Sequence, residues 1–151
     1  MAELTHVDGS GRARMVDVGP KPVVFRRARA RGKIRLQPGT VELVRANQVK
    51  KGDVLGTAQL AGVMAAKATP SLIPLCHPLV IDHVRVDCTL EADGVMVESE
   101  VRCSGKTGVE MEALCAVSVA LLTVYDMCKA VDKAMVIESV ELVEKEKRED
   151  V

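Results

Sequence analysis

Asp126 and Lys129 stand three residues apart in the run Tyr125-Asp126-Met127-Cys128-Lys129. On a helix that spacing puts both on one face. An exposed carboxylate–ammonium pair contributes about 0–1 kcal/mol as a surface ion pair. The same two groups can also move protons, with Asp126 orienting or tuning Lys129. Lys50-Lys51-Gly52-Asp53 is a second lysine centre, or a basic turn ahead of a helix. Glu110 and Glu112 fall in the first turn of the helix that ends near Lys129, where carboxylates complement the helix dipole. Two residues apart is about 200° around a helix, so at least one turns into a pocket or toward a partner. A carboxylate there suits the N–H edge of a guanine. Leu75-Cys76-His77-Pro78 sets an imidazole in a proline-bracketed loop between two elements, and sites live on such positioned loops. His6 and His83 have no comparable context. Cys76 and His77 are adjacent and point apart, which argues against a cysteine nucleophile.

Other chemistries are excluded. Ser104-Gly105-Lys106-Thr107 resembles the end of a P-loop, but the glycine required five residues before Gly105 is Glu100. With no His-Glu-x-x-His and no Cys-x-x-Cys, no metal site is expected. Lys and Arg total 21 and so do Asp and Glu, which disfavours nucleic acid as a partner. The 151 residues hold no Trp, one Phe (Phe25) and one Tyr (Tyr125), too few for a base-stacking platform. No stretch reaches the roughly 18 uninterrupted apolar residues of a membrane span, and Met1 to Gly11 lacks the apolar core of a signal peptide. Five cysteines, an odd number, read as reduced thiols in a cytoplasmic protein.

These groups need elements to position them. Residues 1–22 read as a flexible arm, residues 23–143 as one domain, and residues 144–151 as a charged tail. Val23 to Leu36 alternates, with Arg27, Arg29, Arg31, Lys33 and Arg35 on a solvated face and Val24, Ala28, Ala30, Ile34 and Leu36 on a buried one. Arg26 lies on the buried side, where a charge is expensive unless paired. Pro38 to Asn47 reads as a short helix. Val54 to Ala68 reads as a small-residue helix capped by Asp53, and Lys67 at its end suits the dipole there. Thr69 to Pro78 reads as a non-helical turn. Leu79 to Leu90 and Val95 to Cys103 form a hairpin about Asp93-Gly94. Thr107 to Val131 is a long helix buried along Val109, Ala113, Val117, Leu121, Val124 and Cys128. Met135 to Val143 closes the domain as a strand. Setting aside the short helix, the order is βαββαβ, the ferredoxin-like split βαβ plan with an antiparallel sheet, an α+β fold.

Glu110 and Asp126 are then roughly 24 Å apart along one helix at 1.5 Å per residue. Both ends can serve one small ligand only if chains share the site, as a two-fold dimer allows.

The segments Leu4-Thr5-His6, Met15-Val16-Asp17-Val18, Lys51-Gly52-Asp53-Val54, Ala65-Ala66-Lys67, Leu72 to Pro78, Gly105 to Leu114 and Tyr125 to Ala130 together resemble the MoaC family of molybdenum-cofactor biosynthesis proteins. That family comprises cyclic pyranopterin monophosphate synthases. The resemblance implies a ferredoxin-like subunit in a homohexamer, a trimer of dimers. It implies conversion of cyclised dihydro-GTP, supplied by a radical SAM enzyme, into cyclic pyranopterin monophosphate with loss of pyrophosphate. By the same resemblance Lys51 and Lys129 are the acid/base residues, with Asp126 beside Lys129. Leu75, Cys76, His77, Met111 and Glu112 contact substrate, with Glu110 nearby. Arg26 and Lys67 hold the triphosphate, and Asp17 rides on an arm that closes over it. A lysine of lowered pKa suits the proton transfers. No cofactor is required, and Mg2+ on the triphosphate stays open. The rival readings are a non-catalytic ligand-binding regulatory domain and a metal-dependent nucleotide phosphohydrolase.

Overall fold

A computed structural model describes residues 6–149. Leu4 and Thr5 of the first motif, and residues 150–151 of the tail, lie outside the described residues. The elements are β1 (Val24–Arg35), α1 (Pro38–Arg45), α2 (Val54–Leu72), β2 (Ile81–Glu91), β3 (Gly94–Gly105), α3 (Glu110–Cys128) and β4 (Val136–Arg148). The four strands form one antiparallel sheet in the order β2-β3-β1-β4. With α2 and α3 packed together and against the sheet, this is the expected ferredoxin-like fold.

The burial pattern explains the packing. Ala28, Ala30 and Ile34 of β1 and Val95, Val97, Val101 and Cys103 of β3 are all at most 2% exposed. They meet the α3 stripe of Ala113, Val117, Leu121, Val124 and Cys128, each fully buried. By length and composition α3 could cross a membrane, but its apolar stripe is already covered by sheet. In α2 the small residues serve close approach. A Cβ on Gly62 would lie 2.9 Å from the Ala116 carbonyl oxygen and 3.0 Å from Val86 Cγ1.

Several boundaries differ from the sequence reading. α2 continues through Pro70 to Leu72. Proline's fixed φ fits a helix, and its missing N–H loses one bond near the end. There the buried Thr69 hydroxyl donates to Ala65 O and Ile73 N–H donates to Thr69 O. Lys67 is consequently not in the last turn, and dipole pairing does not account for it. α3 starts at Glu110 and ends at Cys128, three residues inside each expected limit. The β2–β3 turn is Ala92-Asp93, and Gly94 is already paired with Glu91. Its hydrogen makes room for β1, since a Cβ would collide with Ile34 O.

The largest correction concerns β4, which runs to Arg148 and takes in most of the expected tail. Its extra residues meet Arg27 and Arg29 of the basic row on β1, and its earlier residues meet Arg31 and Arg35. Arg27 contacts Glu144 at 3.0 Å, Glu146 at 3.5 Å and Glu100 at 3.7 Å. Arg31 meets Glu141 at 2.7 Å and Arg35 meets Glu138 at 3.1 Å. The face is therefore an ion-pair lattice rather than a bare cationic surface. Cross-strand pairs of opposite charge favour one register.

Candidate active site

Two clusters stand at opposite ends of α3. At its start is a cleft of about 380 Å³ lined by Leu75, Cys76, His77, Met111, Glu110 and Glu112, with His6, Ile73, Leu79, Thr107 and Gly108. The loop from Ile73 to Val80 is kept out of helix or strand by Pro74 and Pro78, and Cys76 N–H donates back to Ile73 O. This holds Leu75 to His77 against the first turn of α3.

Glu112 is the unusual group. It is 4% exposed, and among the described residues its Oε2 is buried with no hydrogen-bond partner. An unmade bond of that kind costs about 1–3 kcal/mol. A ligand presenting an N–H edge in the cleft would supply the partner. Burial pushes the Glu112 carboxyl up to about 7, and the negative charge of Glu110 adds to the effect. Burial also raises the Cys76 thiol, with Glu112 assisting.

Burial, Glu112, Asp82 and Glu110 together push the Cys103 thiol up to about 11, while Arg26 opposes them. Arg26 stands opposite Cys103 in the β1–β3 ladder. It is half-buried, its Nη2 donates to Lys106 O at 3.4 Å, and among the described residues its buried Nε has no partner. Glu110 reaches Lys145 of β4 at 3.6 Å. Lys67 lines an adjoining cleft of about 540 Å³ with Asp82 and His83, and Leu79 borders both. Asp17 is exposed on the arm and accepts a hydrogen bond from Gly19 N–H at 2.8 Å. It lines neither cleft, although Lys106 Nζ ties the arm down by donating to Gly19 O at 3.0 Å.

At the far end of α3, Asp126 lies between two lysines. Its Oδ2 is 2.8 Å from Lys51 Nζ and its Oδ1 is 2.9 Å from Lys129 Nζ. Lys51 Nζ also donates to Asp126 O at 3.3 Å. Hydrogen bonds from Lys51 and then Lys129 hold the Asp126 carboxyl down to about 2. The Lys129 pKa is raised by its bond to Asp126. At Lys129 this is opposite to the expectation of a lowered lysine: the bond to Asp126 and its charge outweigh the smaller opposing effect of burial.

The structure thus unites Lys51, Asp126 and Lys129, and separately unites the Leu75–His77 loop with Glu110, Met111 and Glu112. One chain does not bring the two sets together. His6 corrects the reading that it lacks a positioned setting. It lines the cleft because the arm turns back there, with Val7 bridged to Ala13 and Arg14 N–H donating to His6 O. His83 likewise borders the adjoining cleft. Thr107 and Lys145 were also missed. Lys145 could have been found only by extending β4 into the charged tail. Neither aromatic ring lines either of these two clefts: Phe25 packs under the Arg148 guanidinium at 4.1 Å, and Tyr125 is 38% exposed.

Residues 15–148 match the model of the MoaC family. The chain belongs to the MoaC family. This MoaC-family chain is 58% identical over 147 residues to a protein of Roseiflexus sp. strain RS-1 named cyclic pyranopterin monophosphate synthase, covering 96% of this chain and 93% of the relative. Proteins of the same name from Novosphingobium aromaticivorans (145 residues) and Methylobacterium sp. strain 4-46 (147 residues) are also 58% identical, covering 96% of this chain and 92% of each relative.

The MoaC-family cleft makes a pH prediction through Glu112. Its carboxyl is raised from 4.5 to about 7 on folding. The folded state binds the proton more tightly, so this contribution to stability is complete below pH 4.5 and lost as pH rises through 7. Glu112→Gln should therefore flatten the fall in Tm between pH 5 and 8 expected of the unsubstituted protein. Parallel thermal melts check this, and equal slopes would refute it.

Proposed function

We propose that this chain is a cyclic pyranopterin monophosphate synthase acting in molybdenum cofactor biosynthesis. The reading is carried by its 58% identity, over nearly its whole length, to relatives of that name. The substrate is cyclised dihydro-GTP, made by a radical SAM enzyme. A substrate hydroxyl attacks the α-phosphorus, the α–β P–O bond breaks, pyrophosphate leaves and the purine is rebuilt as a pterin.

The geometry supports a division of labour. Glu112 accepts from the N–H edge of the guanine-derived ring, with Leu75 to His77 and Met111 bounding it. Arg26 and Lys67 counter the triphosphate charge, with Mg2+ as an additional counter-ion on the phosphates and Asp17 closing with the arm. Lys51 and Lys129 exchange protons with the substrate while Asp126 holds them in place. Lys129, kept protonated by Asp126, acts first as a donor. No aromatic ring clamps the base, which leaves the ring system free to reshape.

The two clusters complete one site when subunits pair two-fold, the Asp126 end of one helix meeting the Glu112 end of another. Three such pairs make the homohexamer. The exposed apolar side chains Leu60 and Met64 on α2 and Leu122 on α3, each more than half exposed, favour burial against other copies. The cytoplasm, where its thiols stay reduced, is the setting.

The test is direct. Purified protein given enzymatically prepared cyclised dihydro-GTP should release pyrophosphate and form cyclic pyranopterin monophosphate in equal amounts. Release of inorganic phosphate from ordinary GTP, with no pterin, would overturn the reading.

A further inference from the structure

Asp132 is 1% exposed, yet no step above uses it. Its Oδ2 accepts from Gln37 N–H and from the Thr40 hydroxyl, each at 2.9 Å. Its Oδ1 accepts from Ala134 N–H at 2.9 Å. Gln37 is the N-cap of α1, and its own side chain makes no capping bond. Asp132 instead holds the N-cap residue by that residue's backbone N–H and the first turn by the Thr40 hydroxyl, from the far end of the chain. Its own N–H donates to the carbonyl of Cys128, the last residue of α3, at 3.1 Å. Burial pushes the Asp132 carboxyl up, but its donors Gln37, Ala134 and Thr40 outweigh burial and leave it below its ordinary value. It remains a carboxylate and a full-strength acceptor.

One side chain therefore fastens the end of α3 to the start of α1. The end of α3 carries Asp126 and Lys129. α1 is only eight residues long and is anchored by buried Thr40, Val41 and Val44. It leads through buried Val49 into the turn carrying Lys51. Lys51 and Asp126 are both exposed, and the turn carrying Lys51 is set from one side by α1 and from the other by α2, which packs on α3.

We propose that Asp132 is a positioning residue: it clamps α1 to the turn after α3 and so keeps Lys51 within hydrogen-bonding reach of Asp126. The inference rests on the reading that Lys51, Asp126 and Lys129 transfer protons. Misplacement of a reacting group by about 1 Å lowers rates on the order of 100-fold, so a remote clamp of this kind shows in turnover.

The test uses full-length Asp132→Ala, Asp132→Asn and Thr40→Val, with Val86→Ala as a packing control on β2. Two readouts are taken: the Asp126 carboxyl titration by 13C NMR of aspartate-labelled protein, and kcat and KM with cyclised dihydro-GTP. In Asp132→Ala the Asp126 titration should rise from about 2 toward 3.8. Its kcat should fall on the order of 100-fold with KM little changed. Asp132→Asn keeps an acceptor oxygen for Gln37 and Thr40 and should recover most of both. Val86→Ala should lower Tm without moving the titration. If Asp132→Ala does not fold, Thr40→Val deletes one donor and carries the same readouts in smaller measure. An unmoved Asp126 titration in the folded variants, or an equal shift in Val86→Ala, overturns the inference. A moved titration with unchanged turnover upholds the clamp and overturns the proton-transfer reading.

Discussion

Alanine at Lys51 or at Lys129 is expected to slow turnover of cyclised dihydro-GTP by 10²–10⁴-fold, the usual range for loss of a general acid or base. Stability should move by less than about 0.5 kcal/mol, because both side chains are exposed and bond only to Asp126 and its neighbourhood. The effect is thus separable from unfolding by a thermal melt. Lys129→Arg sharpens the test. Arginine preserves the charge and the ion pair with Asp126 but does not give up its proton in this range. If Lys129 only neutralises phosphate, Arg restores activity. If it transfers protons, Lys129→Arg stays close to Lys129→Ala. Unchanged rates in both alanine variants would remove Lys51 and Lys129 from the chemistry and leave them as surface residues. The direction of Asp126 matters too. Held down to about 2, it stays ionised across the working range. Substrate must therefore displace it from Lys129, or draw a proton from a lysine still paired with it.

Much of this was readable in the residues, for definite reasons. The α3 stripe repeats at three and four, and the β2–β3 hairpin alternates at two. Each pattern survives because one face of its element is covered and the other is not. That one of Glu110 and Glu112 turns inward was legible because about 200° separates them on a helix, and the structure shows that Glu112 is buried. What was lost depends on partners far along the chain. The row from Arg27 to Arg35 looks like a wet basic face until β4 brings Glu138, Glu141, Glu144 and Glu146 beside it. Glu144 and Glu146 in turn look like a charged tail until the arginines stand opposite. Neither half of a cross-strand lattice announces the other. Pro70 misled in a different way, since a proline in a last turn breaks one bond and need not break the helix. Asp132 gave no local signal at all: its partners Gln37 and Thr40 lie about ninety residues away. His6 was passed over because its setting is made by the arm's return, which no short-range spacing encodes.

Mixing two inactive variants should restore activity, and this is the sharpest consequence of the geometry. The cleft at Glu112 and the lysines around Asp126 are separated by nearly the length of α3, so a complete site takes one end from each of two chains. Lys51→Ala destroys the lysine end and leaves the cleft. A Glu112→Ala variant does the reverse. When equal amounts are unfolded together and refolded, half of the two-fold pairs are mixed. In each mixed pair one site collects both lesions and the other collects none. About one site in four is then intact, so activity should recover to about a quarter of the unsubstituted protein. Each variant refolded alone should stay inactive. Exchange of subunits can be verified with chains carrying different fluorophores. Verified exchange without recovery would place the whole reaction at one end of α3 in a single chain. The other cluster would then be structural. Recovery well above a quarter would require preferential pairing of unlike chains. Recovery at that level is difficult to explain by partial rescue, because neither variant retains a complete set of groups at any site built from its own chains.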